Sequence, residues 1–258
     1  MQQTKELAVK NKAEIAAAQN EWGLDEQIDA SVIEIPKLLL MQGLSKAVAA
    51  EKASMGEFID SLTYEVVGSA REKDFKPVEI IPLTMSVSWV KYEKIGDKLD
   101  FKGVFPLTKE NADWKWEETN ADGDVFRNDQ CLNFYVLLKG KADDPMELPY
   151  ALTFRRTSFR NGKKLSSHFA KCQRAMQLGR IIPPASKSFM LSGYKETNDH
   201  GTYYVMDIEP GETIAEELQT VAKGWVKTIR SSSIKVDDSD LHDGGATKED
   251  VDVDESEY

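Results

Sequence analysis

The residues with the clearest capacity for chemistry are ten basic side chains between positions 148 and 195, a stretch that contains no Asp or Glu. Clustered Lys and Arg side chains neutralise phosphates and release their condensed counterions, which supplies much of the affinity of a protein for any nucleic acid. The block therefore favours nucleic-acid contact over a merely solvated face. Its members are Arg155, Arg156, Arg160, Lys163, Lys164, Lys171, Arg174, Arg180, Lys187 and Lys195.

Aromatic residues lie within and around this basic block. Proteins that bind single strands combine a cationic surface with rings on which bases stack, and each stacked base contributes roughly 1 to 3 kcal/mol. The alternative for every ring is a place in the hydrophobic core, which the spacing favours for Phe169. Nothing in the sequence indicates base-specific readout. The predicted nucleic-acid site comprises the basic residues from Arg155 to Lys187 and six rings, namely Tyr150, Phe159, Trp89, Tyr92, Trp114 and Trp116.

The last residues of the sequence carry the opposite charge, with ten acids against Lys248 alone between positions 237 and 258. An acidic segment tethered to a basic surface can occupy that surface until DNA displaces it, and the displaced segment can then bind other proteins. The alternative is an acidic tail that only promotes solubility. The predicted partner-binding residues of this tail are Asp250, Asp252, Asp254, Glu255, Glu257 and Tyr258.

Catalysis finds little support in the sequence. The histidines His168, His200 and His242 lack metal-ligand spacing, and no phosphate-binding loop, dinucleotide fingerprint or nucleophile elbow occurs. Cys131 and Cys172 stand far apart, which indicates neither a zinc site nor a disulfide framework and fits a reducing cytoplasm. We therefore expect a protein that is not an enzyme, with no catalytic residue, no cofactor and no metal.

The hydrophobic pattern predicts the elements that would position these residues. Alternating, β-branched and aromatic stretches indicate strands near 58–67, 78–92, 131–138, 149–157, 188–194 and 202–208, with a polar excursion at 94–128. Helical spacing predicts helices near 163–178 and 213–230, the first with a basic outer side. The prediction is an α+β, mainly β fold, either an OB-like barrel or a curved antiparallel sheet with flanking helices. A helical arm at 1–30 precedes this core at 31–231, and a disordered acidic tail follows at 232–258.

Two parts of the sequence resemble known phage proteins. Residues 249–258, EDVDVDESEY, resemble the tail of phage-encoded single-stranded-DNA-binding proteins, in which an acidic segment ending in an aromatic residue follows an OB-type barrel. Residues 35–45, IPKLLLMQGLS, with residues 56–63 and 78–82, are similar to the opening of phage proteins often labelled as DNA-binding. The resemblance implies cooperative coating of single-stranded DNA during phage replication and recombination, and tail contacts with the phage polymerase, helicase or primase.

Two functions of different classes follow from these features. The leading hypothesis is a non-sequence-specific single-stranded-DNA-binding protein, located in the cytoplasm of the bacterial host and without a membrane partner. The alternative is a phage protein-interaction or virion-associated protein that acts through its acidic surface. The basic block discriminates between them, because a protein that mimics DNA has no use for it. The sequence leaves open whether the chain forms a homo-oligomer.

Overall fold

A computed structural model of the chain describes residues 34–71, 75–96, 98–144, 147–199 and 201–231. The arm predicted at 1–30 and the tail predicted at 232–258 lie outside these residues. The described part is built mostly of strands, which form a curled antiparallel sheet shaped like half a barrel, with a few helices. The prediction of a mainly β, α+β fold with a curved antiparallel sheet is thereby confirmed.

A small sheet comes first along the described chain. Its strands are β1 (Leu38–Leu40), β2 (Glu57–Asp60) and β3 (Val66–Ser69), with the short helix α1 (Lys46–Ala49) between the first two. The single strand predicted over 58–67 is wrong, because Asp60 starts a turn there. Its Oδ1 accepts hydrogen bonds from the backbone N–H groups of Leu62 and Thr63, at 2.7 and 2.9 Å, as an Asp side chain commonly does in turns.

The main sheet contains seven strands, and all their pairings are antiparallel. Two strands, β4 and β7, are long enough to have different neighbours along their lengths. The first part of β4 pairs with β9 and its last part with β5, while β7 pairs with β4 throughout most of its length and with β6 and β8 in turn. The strands are β4 (Val78–Ile95), β5 (Lys98–Pro106), β6 (Glu117–Thr119), β7 (Val125–Leu138), β8 (Tyr150–Arg155), β9 (Lys187–Asn198) and β10 (Gly201–Thr213).

The region 94–128, predicted as a polar excursion, contributes more to the sheet than the sequence indicated. β5 forms a hairpin with β4, with Trp89 opposite Phe105, and β6 pairs with the start of β7. The long polar linker is therefore confined to the residues around Trp114 and Trp116 and to the turn before β7. β5 is largely exposed to solvent, and its charged residues account for the polar composition of this region.

Each face of the main sheet is covered by one long helix. Helix α2 (Phe159–Gln177) packs Leu165 and Phe169 against a core that includes Phe134 and Phe154 of the sheet. Helix α3 (Glu216–Ser231) lies against the opposite face, where a second core forms. The helix predicted near 213–230 begins only at Glu216, because Thr213 ends β10 and pairs with Lys187 of β9.

Helix α2 is held in place by the outer edge of β10, which pairs on its other side with β9. The backbone N–H of Met206 donates to Ser158 Oγ at 3.0 Å, and Asn161 Nδ2 donates to the carbonyl oxygen of Met206 at 2.9 Å. The side chains of Ser158 and Asn161, at the start of α2, thus form hydrogen bonds with backbone groups of β10 that no neighbouring strand can pair with. The orientation of α2 relative to the sheet is fixed by these contacts.

Candidate nucleic-acid interface

Five of the predicted basic residues lie on one side of α2. Successive residues advance about 100° around an α-helix, so these five fall within an arc of about 100°, and about 21 Å separates the first from the last along the axis. All five are exposed, whereas Leu165 and Cys172 on the opposite side are buried. We call this set the helix stripe. It consists of Arg160, Lys163, Lys164, Lys171 and Arg174.

Two cations of the helix stripe, Lys163 and Lys164, interact with other residues of the fold. Lys164 Nζ lies 2.6 Å from Asp207 Oδ1 on β10, and Lys163 Nζ lies 5.0 Å from the ring centroid of Phe159. Within the described residues, Lys171 and Arg174 make no ion pair. Helix α2 itself contains no acid. The second half of the stripe therefore presents the more open positive charge.

An exposed apolar surface follows the helix stripe, between α2 and β9. Ile181 and Leu178 are 88% and 72% exposed, and the predicted basic residues Arg180 and Lys187 are exposed beside them in the chain. Such a concentration of solvent-exposed aliphatic side chains is typical of a contact surface. This surface is not part of the predicted site, although the two adjacent isoleucines before Pro183 are a sequence signal for it. We call it the apolar patch, and it consists of Met176, Leu178, Ile181 and Ile182.

Arg155 and Arg156 were predicted to bind nucleic acid together with the helix stripe, but the structure uses them internally. Arg155 Nη1 donates to the hydroxyl of Tyr92 at 3.1 Å, and Arg156 Nε donates to Asp129 Oδ2 at 2.6 Å. Asp129 is fully buried and also accepts a bond from Arg127. A buried carboxylate requires such partners. Arg155 and Arg156 are therefore engaged in contacts within the fold, whereas the residues of the helix stripe are exposed.

Four of the six predicted stacking rings belong to the core. Trp89, Tyr92, Tyr150 and Phe159 are buried, and Tyr92 packs edge to face with Phe101 at a centroid distance of 6.0 Å. Burial raises the pKa of the hydroxyls of Tyr92 and Tyr150 above the ordinary value. Because their faces are covered by protein, the expectation that these four rings offer free stacking surfaces is corrected.

The remaining two rings, Trp114 and Trp116, are half-buried, and each lies against a cation. Lys91 Nζ is 4.7 Å from the ring centroid of Trp114, and the guanidinium carbon of Arg127 is 4.1 Å from that of Trp116. The backbone N–H of Asn128 donates to the carbonyl oxygen of Trp116 at 2.8 Å, which fixes this segment against β7. These are the predicted rings that retain partly accessible faces.

The other predicted features add limits to the site. The tail residues Asp250, Asp252, Asp254, Glu255, Glu257 and Tyr258 lie outside the described residues. Within the described ranges, no three His, Cys, Asp or Glu side chains are grouped so that they could hold a metal ion. In the same part of the chain, none of the helices combines the length and the apolar character that a membrane crossing requires.

Comparison with known proteins identifies the family of the chain. No curated protein and no solved structure matches it. Residues 4–235, nearly the whole chain and all the described strands and helices, match the model of one family of phage proteins. The chain is therefore a phage protein, and it belongs to the Pam3 phage gp34-like protein family.

Proposed function

We propose that this phage protein is a non-sequence-specific single-stranded-DNA-binding protein that acts in phage DNA replication and recombination. The observation that carries the proposal is the helix stripe, five exposed cations on one side of a helix that has no acid. Contacts with phosphates fix the position of a strand but carry no base information. The helix stripe is about 21 Å long at the rise of an α-helix, which is long enough to contact several phosphates of one strand.

The proposal includes a role for the acidic residues 237–258 and for the apolar patch. The acidic segment competes with DNA for the helix stripe, and when DNA displaces it, it recruits phage replication proteins such as the polymerase, helicase or primase. The apolar patch lies directly beyond Arg174. The affinity of a partner that binds there therefore depends on whether DNA occupies the helix stripe. In this proposal the protein is not an enzyme and works in the cytoplasm of the bacterial host.

The test is the salt dependence of binding to a fluorescently labelled thymidine oligonucleotide, measured by polarisation. For single strands the logarithm of affinity falls with the logarithm of salt concentration with a slope of roughly −0.7 per phosphate contacted. Neutralising three stripe residues, in K163A/K171A/R174A, should make that slope shallower by about 2. The matched control, K223A/K227A/R230A, removes three exposed cations from α3 and should leave the slope unchanged.

A second arm tests the acidic segment in the full-length chain. Replacing its six acids between 249 and 257 with the corresponding amides should tighten DNA binding at low salt, because most of the competing negative charge is removed. Absence of DNA binding by the unaltered protein and by this amide variant at low salt would overturn the proposed function. That result would leave the alternative, a phage protein-interaction or virion-associated protein that acts through its acidic surface.

A further inference from the structure

A group of rings and polar side chains lies on one face of the main sheet, where β4, β5 and β7 run side by side. Trp89 is opposite Gln130 and Lys91 is opposite Asn128, and directly opposite residues project from the same face of a sheet. Trp89, Lys91 and Asn128 are therefore neighbours on that face. We call the group the aromatic cluster. It consists of Trp89, Lys91, Phe105, Trp114, Phe126 and Asn128.

Two buried polar atoms of the aromatic cluster have no hydrogen-bond partner. They are Trp89 Nε1, a donor, and Asn128 Oδ1, an acceptor. The orientation of the Asn128 amide is set by its nitrogen, which donates to the Lys115 carbonyl oxygen at 2.8 Å and to Glu118 Oε2 at 3.0 Å. Buried polar groups in folded proteins are nearly always paired, so an unpaired donor and an unpaired acceptor on the same face of the sheet call for a partner.

A cation completes the aromatic cluster. Lys91 Nζ lies 4.1 Å from the ring centroid of Phe126 and 4.7 Å from that of Trp114. In the described part of the chain, no carboxylate forms an ion pair with Lys91. A half-buried ammonium group held by two rings remains available to an anion.

We propose that the aromatic cluster is a binding subsite for one nucleotide, a planar base together with its phosphate. The proposal rests on the proposed function and names a place where a base of the bound strand is held. The ring of Trp114 packs against Trp89 at a centroid distance of 6.3 Å, so the base enters as Trp114 moves away and then stacks on it. Its edge accepts from Trp89 Nε1 and donates to Asn128 Oδ1, and Lys91 binds the phosphate.

The chemistry of a nucleobase fits these two atoms. A base presents hydrogen-bond donors and acceptors side by side on its pairing edge, and single-stranded bases are bound through those edges and through stacking on aromatic rings. Phe105, 36% exposed, packs against Trp114 at 5.5 Å and provides a second ring at the entrance. The subsite binds by base edge and ring together, whereas the helix stripe binds only the phosphates.

The experiment compares two oligonucleotides of equal length, one of thymidines and one with abasic spacers that keeps every phosphate. W89F retains a buried ring and removes only the Nε1 donor, and K91M retains the aliphatic stem and removes the charge. W89F should weaken thymidine binding about 10-fold, equivalent to about 1.4 kcal/mol, without changing abasic binding. K91M should weaken binding of both. W225F, on α3 and packed against the second core, is the matched control and should behave as the unaltered protein.

The outcomes separate the subsite from the proposed function. Unchanged thymidine affinity in W89F, with weaker binding by K163A/K171A/R174A, overturns the subsite, and a buried water is then the partner of the two atoms. Failure of the unaltered protein to bind either oligonucleotide at low salt overturns the proposed function and the subsite together. A thermal unfolding curve for W89F checks that the fold is intact. If W89F melts at a lower temperature than the unaltered protein, K91M tests the subsite independently.

Discussion

The side-chain amide of Gln42 binds both backbone polar groups of Tyr204. Gln42 Nε2 donates to the Tyr204 carbonyl oxygen, and Gln42 Oε1 accepts from the Tyr204 N–H, each at 2.8 Å. Tyr204 lies on the outer edge of β10, so the amide takes the place that a neighbouring strand would fill. With Ser158 and Asn161 bound to Met206, the middle of this edge is covered by side chains.

Removing the Gln42 amide should destabilise the protein. Q42A leaves two groups of Tyr204 without their partner at a partly buried position, which should lower the free energy of unfolding by about 1 to 3 kcal/mol. Urea unfolding followed by tryptophan fluorescence measures the difference. Q173A, at an exposed position of α2, should have no such effect. Equal stability of the two variants would mean that the edge bonds contribute nothing.

The buried carboxylate of Asp129 should be sensitive to neutralisation. D129N removes the buried charge that pairs with the guanidinium groups of Arg127 and Arg156, and breaking a buried pair in this way costs about 3 kcal/mol. The measurement is again the free energy of unfolding in urea. D143N, at an exposed position, is the matched control. A D129N protein as stable as D143N would contradict a structural role for Asp129.

Two helical glycines should respond in opposite directions to alanine. A Cβ at Gly162 of α2 would lie 2.6 Å from Phe154 Cβ, in a core where Phe154 is fully buried, so G162A should lower stability by about 1 to 3 kcal/mol. A Cβ at Gly224 of α3 would meet nothing within 4 Å, so G224A should raise stability by about 0.5 to 1 kcal/mol. Thermal melting of both variants gives the comparison, and a stabilising G162A would show that α2 can move away from Phe154.

Low pH should lower the stability of the protein, in part because Glu79 becomes protonated. Burial on its own raises the pKa of Glu79, but hydrogen bonds from Lys139 Nζ at 2.8 Å and Ser188 Oγ at 2.5 Å outweigh it and hold that pKa below 4.5. A lowered pKa in the folded state means that folding favours the charged form. The stabilisation is therefore complete above about pH 4.5 and is lost as the pH falls through the lower folded value.

The substitution E79Q tests this dependence. It removes the titrating group, so the loss of melting temperature between about pH 6 and about pH 3 should be smaller than in the unaltered protein. E110Q, at an exposed position that makes no ion pair within the described residues, is the control and should follow the unaltered protein. Identical pH profiles for E79Q and E110Q would exclude a contribution from Glu79.

Sequence reasoning could find the helix stripe because helical periodicity is local. The spacing of Leu165, Phe169 and Cys172 places them on one side of α2, and that alone puts Lys171 and Arg174 on the other side. The mainly β fold followed in the same way from alternation along single strands. Both inferences use only residues that are close together in the chain.

The internal roles of Arg155 and Arg156 could not be predicted, because they depend on pairing between distant segments. Cys131 is opposite Arg155 in the pairing of β7 with β8, and this register brings Asp129 close to Arg156. A shift of one residue would have reversed the faces. The burial of Trp89 and Tyr92 has the same origin, since it depends on which ends of β4, β5 and β7 come together.

The pairing of β4 with β9 has a consequence for how the chain folds. Val78 pairs with Leu191, more than a hundred positions away, while β4 with β5, β7 with β8, and β9 with β10 are hairpins between near neighbours. Closing so long a loop costs chain entropy before any contact repays it, and such contacts slow folding. We expect the hairpins to form first and the β4 to β9 seam to close last. We therefore expect the core to stay open during synthesis until β9 has left the ribosome.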